Sequence, residues 1–269
     1  MTSNKTYIKK ILHQEEIKIR NKIFTFIAYL GVIIFFLIYS NVTDLLSIYN
    51  GLPALFTILH EMMPPNFDNL NTWLIPALDS ISMSISATFI AAVVAFPISL
   101  LGSRNINKNS ILYIMIRIFL SIFRSIPEII LGLIIVVSVG FGIISGTLAI
   151  AIHSVGMLGK FFSESIERTN NDITEIIIST GATKQQVIFF GILPQVFQEF
   201  IDLIMYRWEY NFRQSTILGI VGAGGIGFEL ISSMRLMQYD EVSAILIIII
   251  FLVTTIDFLS SRIRFFFKE

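Results

Sequence analysis

The sequence contains no cysteine and few charged residues. Without cysteine among its 269 residues, the chain has no disulfide framework, no thiolate metal site and no cysteine nucleophile. Charged residues make up only 14% of the chain, whereas a soluble domain carries about 25%. Lysine and arginine together number 19, as do aspartate and glutamate, so no basic excess indicates nucleic-acid binding. The composition therefore excludes an ordinary soluble protein.

Long apolar runs take the place of the missing charge. Hydrophobic residues make up 54% of the chain, and 24 of them are phenylalanine. A helix that crosses the hydrocarbon core of a membrane needs about 20 mostly apolar residues. We therefore predict an all-α polytopic membrane protein with six spans, at 23–39, 81–101, 126–141, 143–162, 196–221 and 242–259.

The apolar segment 111–123 is too short to cross a membrane alone, and Pro127 follows it. Proline lacks an amide hydrogen and clashes with the preceding turn, so it breaks or kinks a helix. We expect segment 111–123 to be an interfacial or elbow helix that leads into the third span. A single tilted helix over 111–139 is the alternative.

Cationic side chains cluster on one side of the predicted spans. Six precede the first span, and none lies between Lys22 and Arg104. Because cytoplasmic loops carry the excess of lysine and arginine, we predict that both termini are cytoplasmic. Three further cationic groups then lie on the same side, at 104–124, 160–184 and 262–268, and only Arg207, Arg213 and Arg235 are left over.

This topology divides the chain into four parts. We predict a cytoplasmic segment 1–22, a first span with an external loop over 23–79, a membrane domain over 80–264 and a cytoplasmic tail over 265–269. The first span has no small-residue cleavage pattern after it, so we interpret it as an uncleaved anchor rather than a signal peptide. Within the external loop, which begins at Asn41, we expect a short interfacial helix over 52–59.

The longest predicted cytoplasmic loop, 163–194, contains two patterns that start helices. In a capping box, an acceptor side chain is followed three residues later by Glu or Gln. Asp172 with Glu175 has this form. We expect the first helix to end near Gly181, because glycine suits the left-handed position after a helix.

The second capping box is Thr183 with Gln186. We expect it to start another short helix over 187–190, closed by Gly191 and Pro194. Apolar side chains on both short helices need cover. This favours a segment that docks a partner, although a solvated connector remains the alternative.

The spacing in this loop resembles the EAA loop of ABC importer permeases. Glu175 is followed by glycine and alanine six and seven residues on, and later by a Leu-Pro pair. In that family the loop holds a coupling helix that docks into a groove of a separate ATP-binding subunit. Isoleucines replace the usual alanines after the glutamate, and Gly191 replaces an isoleucine. The resemblance implies ATPase coupling by Glu175, Gly181, Ala182, Thr183, Leu193 and Pro194.

Further segments resemble phosphonate-type permeases within the same family. They cover about residues 80–264 and include the segments 124–128, 156–160, 163–167, 207–213 and 222–227. The resemblance implies a methionine-permease-like fold in a bacterial inner membrane, usually as a homodimer. It also implies two copies of a cytoplasmic ABC ATPase, an external phosphonate-binding protein, and phosphonate, phosphite or phosphate as the solute. The chain itself is then not an enzyme and needs no cofactor, because the partner subunit binds ATP.

The run from Gly222 to Gly227 has the form G-x-G-x-x-G. As a dinucleotide fingerprint this pattern needs a preceding strand and a βαβ unit, whereas here it follows a predicted membrane helix. We therefore interpret Gly222, Gly224, Gly225 and Gly227 as positions that allow close helix packing or an unwound turn lining a cavity.

The predicted fifth span carries five charged residues, and each would cost about 2.5–3.5 kcal/mol if it faced lipid at mid-depth. They must face protein, water or one another. In one interpretation Glu209 pairs with Arg213, four residues on. In the other, Arg207 or Arg213 helps an oxyanion pass, because guanidinium matches its oxygens in a fork geometry. We assign Arg207, Glu209, Asn211 and Arg213 to the translocation path, together with the glycine run.

Other functional classes remain as alternatives. The three histidines are too dispersed for a metal cluster, and we expect His153 to be packed or hydrogen-bonded rather than catalytic. A secondary transporter driven by an ion gradient often has inverted repeats, which the sequence does not reveal. An ABC permease for another small solute, such as methionine, is a further alternative. A membrane enzyme is disfavoured because no nucleophile–base pair is recognisable.

Overall fold

The computed structural model describes residues 2–40, 42 and 44–267, and every element in this part of the chain is a helix. The chain divides into two compact units, with the boundary in the sequence between His60 and Glu61. Five residues lie outside the described part of the chain, and they belong to the predicted terminal segments and external loop: 1, 41, 43, 268 and 269.

The first unit contains a long helix and a shorter one. Helix α1 spans Thr2–Tyr39, and its part Glu15–Tyr39 is long and apolar enough to cross a membrane. Helix α2 spans Leu45–Glu61 with Pro53 inside it. The short helix predicted over 52–59 is therefore a portion of a longer one.

The second unit contains the remaining helices. In chain order these are α3 (Leu70–Leu101), α4 (Ser110–Ser125), α5 (Glu128–Val139), α6 (Ile143–Glu167), α7 (Asn171–Ser179), α8 (Lys184–Gln186), a π-helical segment (Val187–Ile192), α9 (Leu193–Gly219), α10 (Ile226–Arg235) and α11 (Tyr239–Phe266).

Six spans are predicted, and the structure contains five candidate helices and one bent pair. Five helices have the length and apolarity to cross a membrane, and α4 with α5 makes a sixth if the bent pair is one span. Helix α5 has 12 residues, or about 18 Å, and is too short for a hydrocarbon core of about 30 Å. The predicted elbow helix before Pro127 is confirmed, because α4 ends at Ser125 and bends by 85° into α5. The predicted span over 126–141 is shorter in the structure, since α5 covers only Glu128–Val139. The alternative of an unbroken helix over 111–139 is wrong, because of the same bend.

The second span begins earlier than predicted. Helix α3 starts at Leu70 rather than near residue 81. Its first turns carry Trp73 and Ala77, which are buried against Ile226 and Ala244. Polar residues in this stretch interrupt the apolar run, so hydropathy alone placed them in a loop.

Helix α6 lies at the centre of the second unit and packs against α3, α4, α5 and α9. Small residues allow this close approach. A Cβ atom added to Gly156 would lie 2.8 Å from the amide nitrogen of Arg124 in α4. Farther along, the rings of Phe162 and Phe200 stack with centroids 4.1 Å apart. Packing through small residues is a common way for membrane helices to associate.

Candidate functional site

The predicted coupling segment begins with α7, but its cap differs from the prediction. The side chain of Asn170 accepts a hydrogen bond from the amide of Asp172, so Asn170 is the N-cap and the box of Asp172 with Glu175 is not formed. Asparagine and aspartate are both good N-caps, and the cap lies two residues earlier than predicted. Glu175 lies in the middle of α7 and is exposed.

The bend after α7 is as predicted. Gly181 adopts a φ of +83°, the left-handed conformation that glycine tolerates best. Ala182 then leads into Thr183, whose hydroxyl accepts from the amide of Gln186 while its own amide donates to the Gln186 side chain. The second capping box is therefore confirmed.

The predicted second short helix is wrong, because the chain does not stop at Gly191 or Pro194. Helix α8 continues through the π-helical segment into α9, so that Lys184–Gly219 is one long element. The amide of Leu193 bonds to the carbonyl of Ile188, five residues back. Pro194 is the second residue of α9 and lies inside this continuous element, so the π-helical segment directly precedes a residue that has no amide hydrogen to donate.

The coupling segment, α7 with residues 180–194, carries large apolar side chains on its surface. Ile176, Ile178, Phe189 and Phe190 are more than half exposed. Beside them a cleft of about 910 Å³ is lined by the segment and by the loop between α3 and α4. Large exposed apolar patches with polar rims mark interaction surfaces.

A buried charge cluster lies where α4 breaks into α5. Arg207 of α9 is 3% exposed. Its Nη2 lies 2.9 Å from Oε1 of Glu128, in the first turn of α5, and its Nε donates to the hydroxyl of Ser154 at 2.9 Å. The guanidinium also stands 4.4 Å from the ring centre of Tyr210. Arg207 thus ties α9 to α5 and α6.

His153 of α6 completes this cluster. Its Nε2 lies 3.2 Å from the carbonyl oxygen of Arg124, and because a carbonyl only accepts, this nitrogen carries the proton. Its Nδ1 is 2.7 Å from both Glu128 and Arg207. His153 therefore donates a hydrogen bond to the carbonyl oxygen of Arg124, which has no intrahelical partner because the helix breaks here. The prediction that His153 is hydrogen-bonded is confirmed.

Asn211 extends the polar network towards α3. Its side chain accepts from Ser154 at 3.0 Å and donates to Thr88 at 2.8 Å. The neighbouring Trp208 donates to Ser84 at 3.2 Å. Arg207 and Asn211 are thus brought together around Ser154, and both are satisfied inside the protein.

The predicted pair of Glu209 with Arg213 is wrong. Glu209 bonds to Arg264 at 2.6 Å, and Arg213 bonds to Asp257 at 3.0 Å. Both partners belong to α11, so these charges join two helices instead of bridging one turn of α9. The i, i+4 spacing could not reveal this, because it ignores which neighbouring helix each side chain faces.

The glycine run forms an unwound turn between α9 and α10. Gly222, Gly224 and Gly225 all have positive φ angles, between +74° and +90°. A Cβ on Gly227 would lie 1.8 Å from the carbonyl oxygen of Thr216, so the two helices touch through the backbone here. Close packing and an unwound turn are thus both present, while the cavity that the turn was expected to line stays a prediction. The turn joins two helices, so the strand required by a dinucleotide fingerprint is missing at this position.

The sequence did not predict that Glu128 is the partner of Arg207. A signal was present, because Glu128 and His153 each interrupt a predicted span and a charge inside a membrane needs a partner. What the sequence lacks is the rotation of each helix about its axis, which decides the partner.

Comparison with known proteins identifies the fold and the family. Residues 95–268 match the family described as "Binding-protein-dependent transport system inner membrane component". The phosphite transport system permease protein PtxC of Stutzerimonas stutzeri is 44% identical over 238 residues, which are 88% of this chain and 86% of that protein. The phosphate-import permease protein PhnE of Mycolicibacterium smegmatis is 36% identical over 219 residues, 78% of this chain and 41% of that protein.

A solved structure gives the same fold. The inward-facing MetNI methionine ABC transporter contains a chain that superposes with a TM-score of 0.66 at 21% identity, covering 74% of this chain and 98% of that one. The resemblance stated from the coupling segment and the glycine run is thus confirmed. The chain belongs to the family of binding-protein-dependent transport system inner membrane components, and is a multi-pass ABC importer permease.

Proposed function

We propose that the chain is the permease subunit of an ATP-driven importer for phosphorus oxyanions, with phosphonate, phosphite or phosphate as its solute. The observation that carries this proposal is 44% identity, over most of both chains, to a phosphite transport system permease. A second relative of this chain is named a phosphate-import permease. The likeness to a methionine transporter is at 21% identity and supports the fold alone. Membership of the family also disfavours an ion-gradient-driven secondary transporter.

We infer that ATP is bound and hydrolysed by a separate cytoplasmic subunit, present in two copies, against which the coupling segment docks. The exposed apolar side chains of that segment are what such a contact would cover. Glu175, Gly181, Ala182 and Thr183 lie within it. Leu193 and Pro194 form the end of the segment and are the first two residues of α9. An external binding protein and a second copy of this permease complete the proposed assembly.

For the translocation path we propose a division of roles. Arg207 and Asn211 are buried and fully engaged, so they hold the helix break in shape. Arg213 is about half exposed and lies in α9, on the N-terminal side of the glycine turn. We propose that Arg213 and the turn from Gly222 to Gly227 are the parts of the predicted path that a passing anion meets, with Glu209 fixing α11.

The substrate proposal is tested by reconstituting the permease with its ATPase and binding protein in liposomes. We expect methylphosphonate, phosphite or phosphate to stimulate ATP hydrolysis and ATP-dependent uptake, because each presents the oxyanion that the assembly takes. Methionine at the same concentration is the control and should have no effect. Stimulation by methionine alone, or uptake driven by an ion gradient without ATP, would refute the proposal.

The proposed topology has both termini in the cytoplasm of a bacterial cell with this chain in its inner membrane. Because the sequence contains no cysteine, single introduced thiols can be read without background. Asp68→Cys, just before α3, should react with a membrane-impermeant maleimide added outside. Lys184→Cys, in the coupling segment, should react only after the membrane is opened, and both positions are exposed. Labelling of both from the same side of intact cells would disprove the topology.

A further inference from the structure

The loop between α3 and α4 carries positive charge that no acidic side chain of the described residues neutralises. Arg104 and Lys108 are exposed, and neither forms an ion pair among those residues. Three other cations are paired, namely Arg117 with Glu167, Lys160 with Glu164 and Arg168 with Glu199. Arg104 and Lys108 differ from these three in having no carboxylate partner among the described residues.

Local bonds hold the loop in one conformation. The amide of Arg104 donates to Glu167 at 2.9 Å, and its guanidinium stands 4.8 Å from the ring centre of Tyr113. Asn105 donates to the carbonyl of Ile166 at 2.6 Å, and Asn107 to that of Leu101 at 2.8 Å. A site whose groups are already ordered loses less conformational freedom when it binds a ligand.

The two cations open onto a small cavity whose lining suits an anion. The cavity has a volume of about 340 Å³, and no carboxylate lies in its wall. Arginine offers a planar fork of donors to a phosphoryl group, and lysine adds a mobile point charge. The lining residues are Arg104, Asn107, Lys108, Ser110, Tyr113 and Ile114.

The cavity lies next to the cleft beside the coupling segment and next to the exposed first turns of α4. Arg104 and Lys108 also line the larger cleft that contains Glu175 and Lys184 of the coupling segment. On the other side, the first turns of α4 expose Ile111, which is 73% accessible, as an apolar surface suited to a bilayer. The cations therefore lie between the larger cleft and a surface that lipid would cover.

We propose that Arg104 and Lys108 form a binding site for a phosphate-type oxyanion, supplied either by free phosphate in water or by the headgroup of an anionic lipid. The two sources share a singly or doubly charged phosphoryl group with oxygens to accept from the cavity's donors. The site is separate from the buried cluster around Arg207, and it does not depend on which solute the permease carries.

The test uses the purified full chain in two arms. In nanodiscs of phosphatidylcholine, binding of inorganic phosphate is measured by isothermal titration calorimetry. In nanodiscs containing some phosphatidylglycerol, retention of that lipid after detergent extraction is measured by native mass spectrometry. The variant is Arg104→Gln with Lys108→Gln. Each basic residue near an anionic group contributes about a factor of five, so the variant should bind roughly 30-fold more weakly.

The matched control removes two paired cations from the same end of the unit, Lys160→Gln with Arg168→Gln, and should bind as the unchanged protein does. Loss of phosphate binding in the Arg104 and Lys108 variant identifies a soluble ligand, and loss of lipid retention identifies a headgroup. The proposal is overturned if neither ligand distinguishes the unchanged protein from this variant, or if the control loses binding equally. Elution as a single species on size-exclusion chromatography is required of both variants.

Discussion

Replacing Arg207 with alanine is expected to destabilise the folded protein by about 3–5 kcal/mol, because it leaves a buried carboxylate without its charged partner. Glu128 would keep only His153 as a close basic neighbour. The same change also removes the bond to Ser154 that fixes α6. The measurement is thermal unfolding of the purified protein in detergent, together with the yield of monodisperse material.

A second variant tests whether the loss of stability comes from leaving Glu128 unpaired or from losing the ion pair itself. Glu128→Gln with Arg207→Met removes both charges and keeps much of the volume, and replacing a buried pair in this way is often tolerated. We expect it to recover most of the lost stability. The control on the same helix is Arg213→Ala, whose pair with Asp257 is about half exposed and should contribute no more than about 1 kcal/mol.

Transport by these variants then decides the role of Arg207. If the arginine only holds the helix break, the double variant should regain uptake along with stability. If it meets the oxyanion, the double variant should fold and hydrolyse ATP yet fail to transport. An Arg207→Ala variant that is as stable as the unchanged protein would contradict the structural role argued from its burial.

The sequence predicted the parts of this fold that depend on local chemistry. Apolar length indicated the spans, proline indicated the break next to Pro127, and the conformational freedom of glycine indicated the bend at Gly181. The capping box at Thr183 was also predicted, since both of its partners lie within one turn. Each of these features is decided within a few residues.

The features that the sequence missed depend on distant neighbours. Arg207 pairs with Glu128, which lies 79 positions away in the sequence, and Glu209 pairs with Arg264, 55 positions away. Such pairs are decided by how the helices rotate and pack. The π-helical segment before Pro194 is a different case. It changes the backbone hydrogen bonding over Val187–Ile192, and no residue pattern in the sequence predicted this. The predicted end of the coupling segment failed for this reason.

Replacing Gly181 with valine is expected to weaken coupling at least about tenfold without unfolding the protein. Gly181 has a φ of +83°, and this region costs a residue with a side chain roughly 1–2 kcal/mol, with β-branched residues the least tolerant. No atom lies within 4 Å of the place where a Cβ would stand. The change therefore strains only the backbone between α7 and α8, and the central packing around α6 is untouched.

The matched control is Gly181→Asn, because asparagine is the residue with a side chain that best tolerates the left-handed region. We expect the valine variant to insert and purify normally, but to lose at least about tenfold in ATPase capture or in substrate-stimulated ATP hydrolysis, as 1.4 kcal/mol corresponds to a factor of ten. The asparagine variant should retain most of both activities. An equal loss in the two variants would mean that the ATPase contacts Gly181 directly and tolerates no side chain there, rather than that the bend matters. Unchanged transport in the valine variant would mean that residues 180–194 merely connect two helices, and the ATPase would have to dock elsewhere.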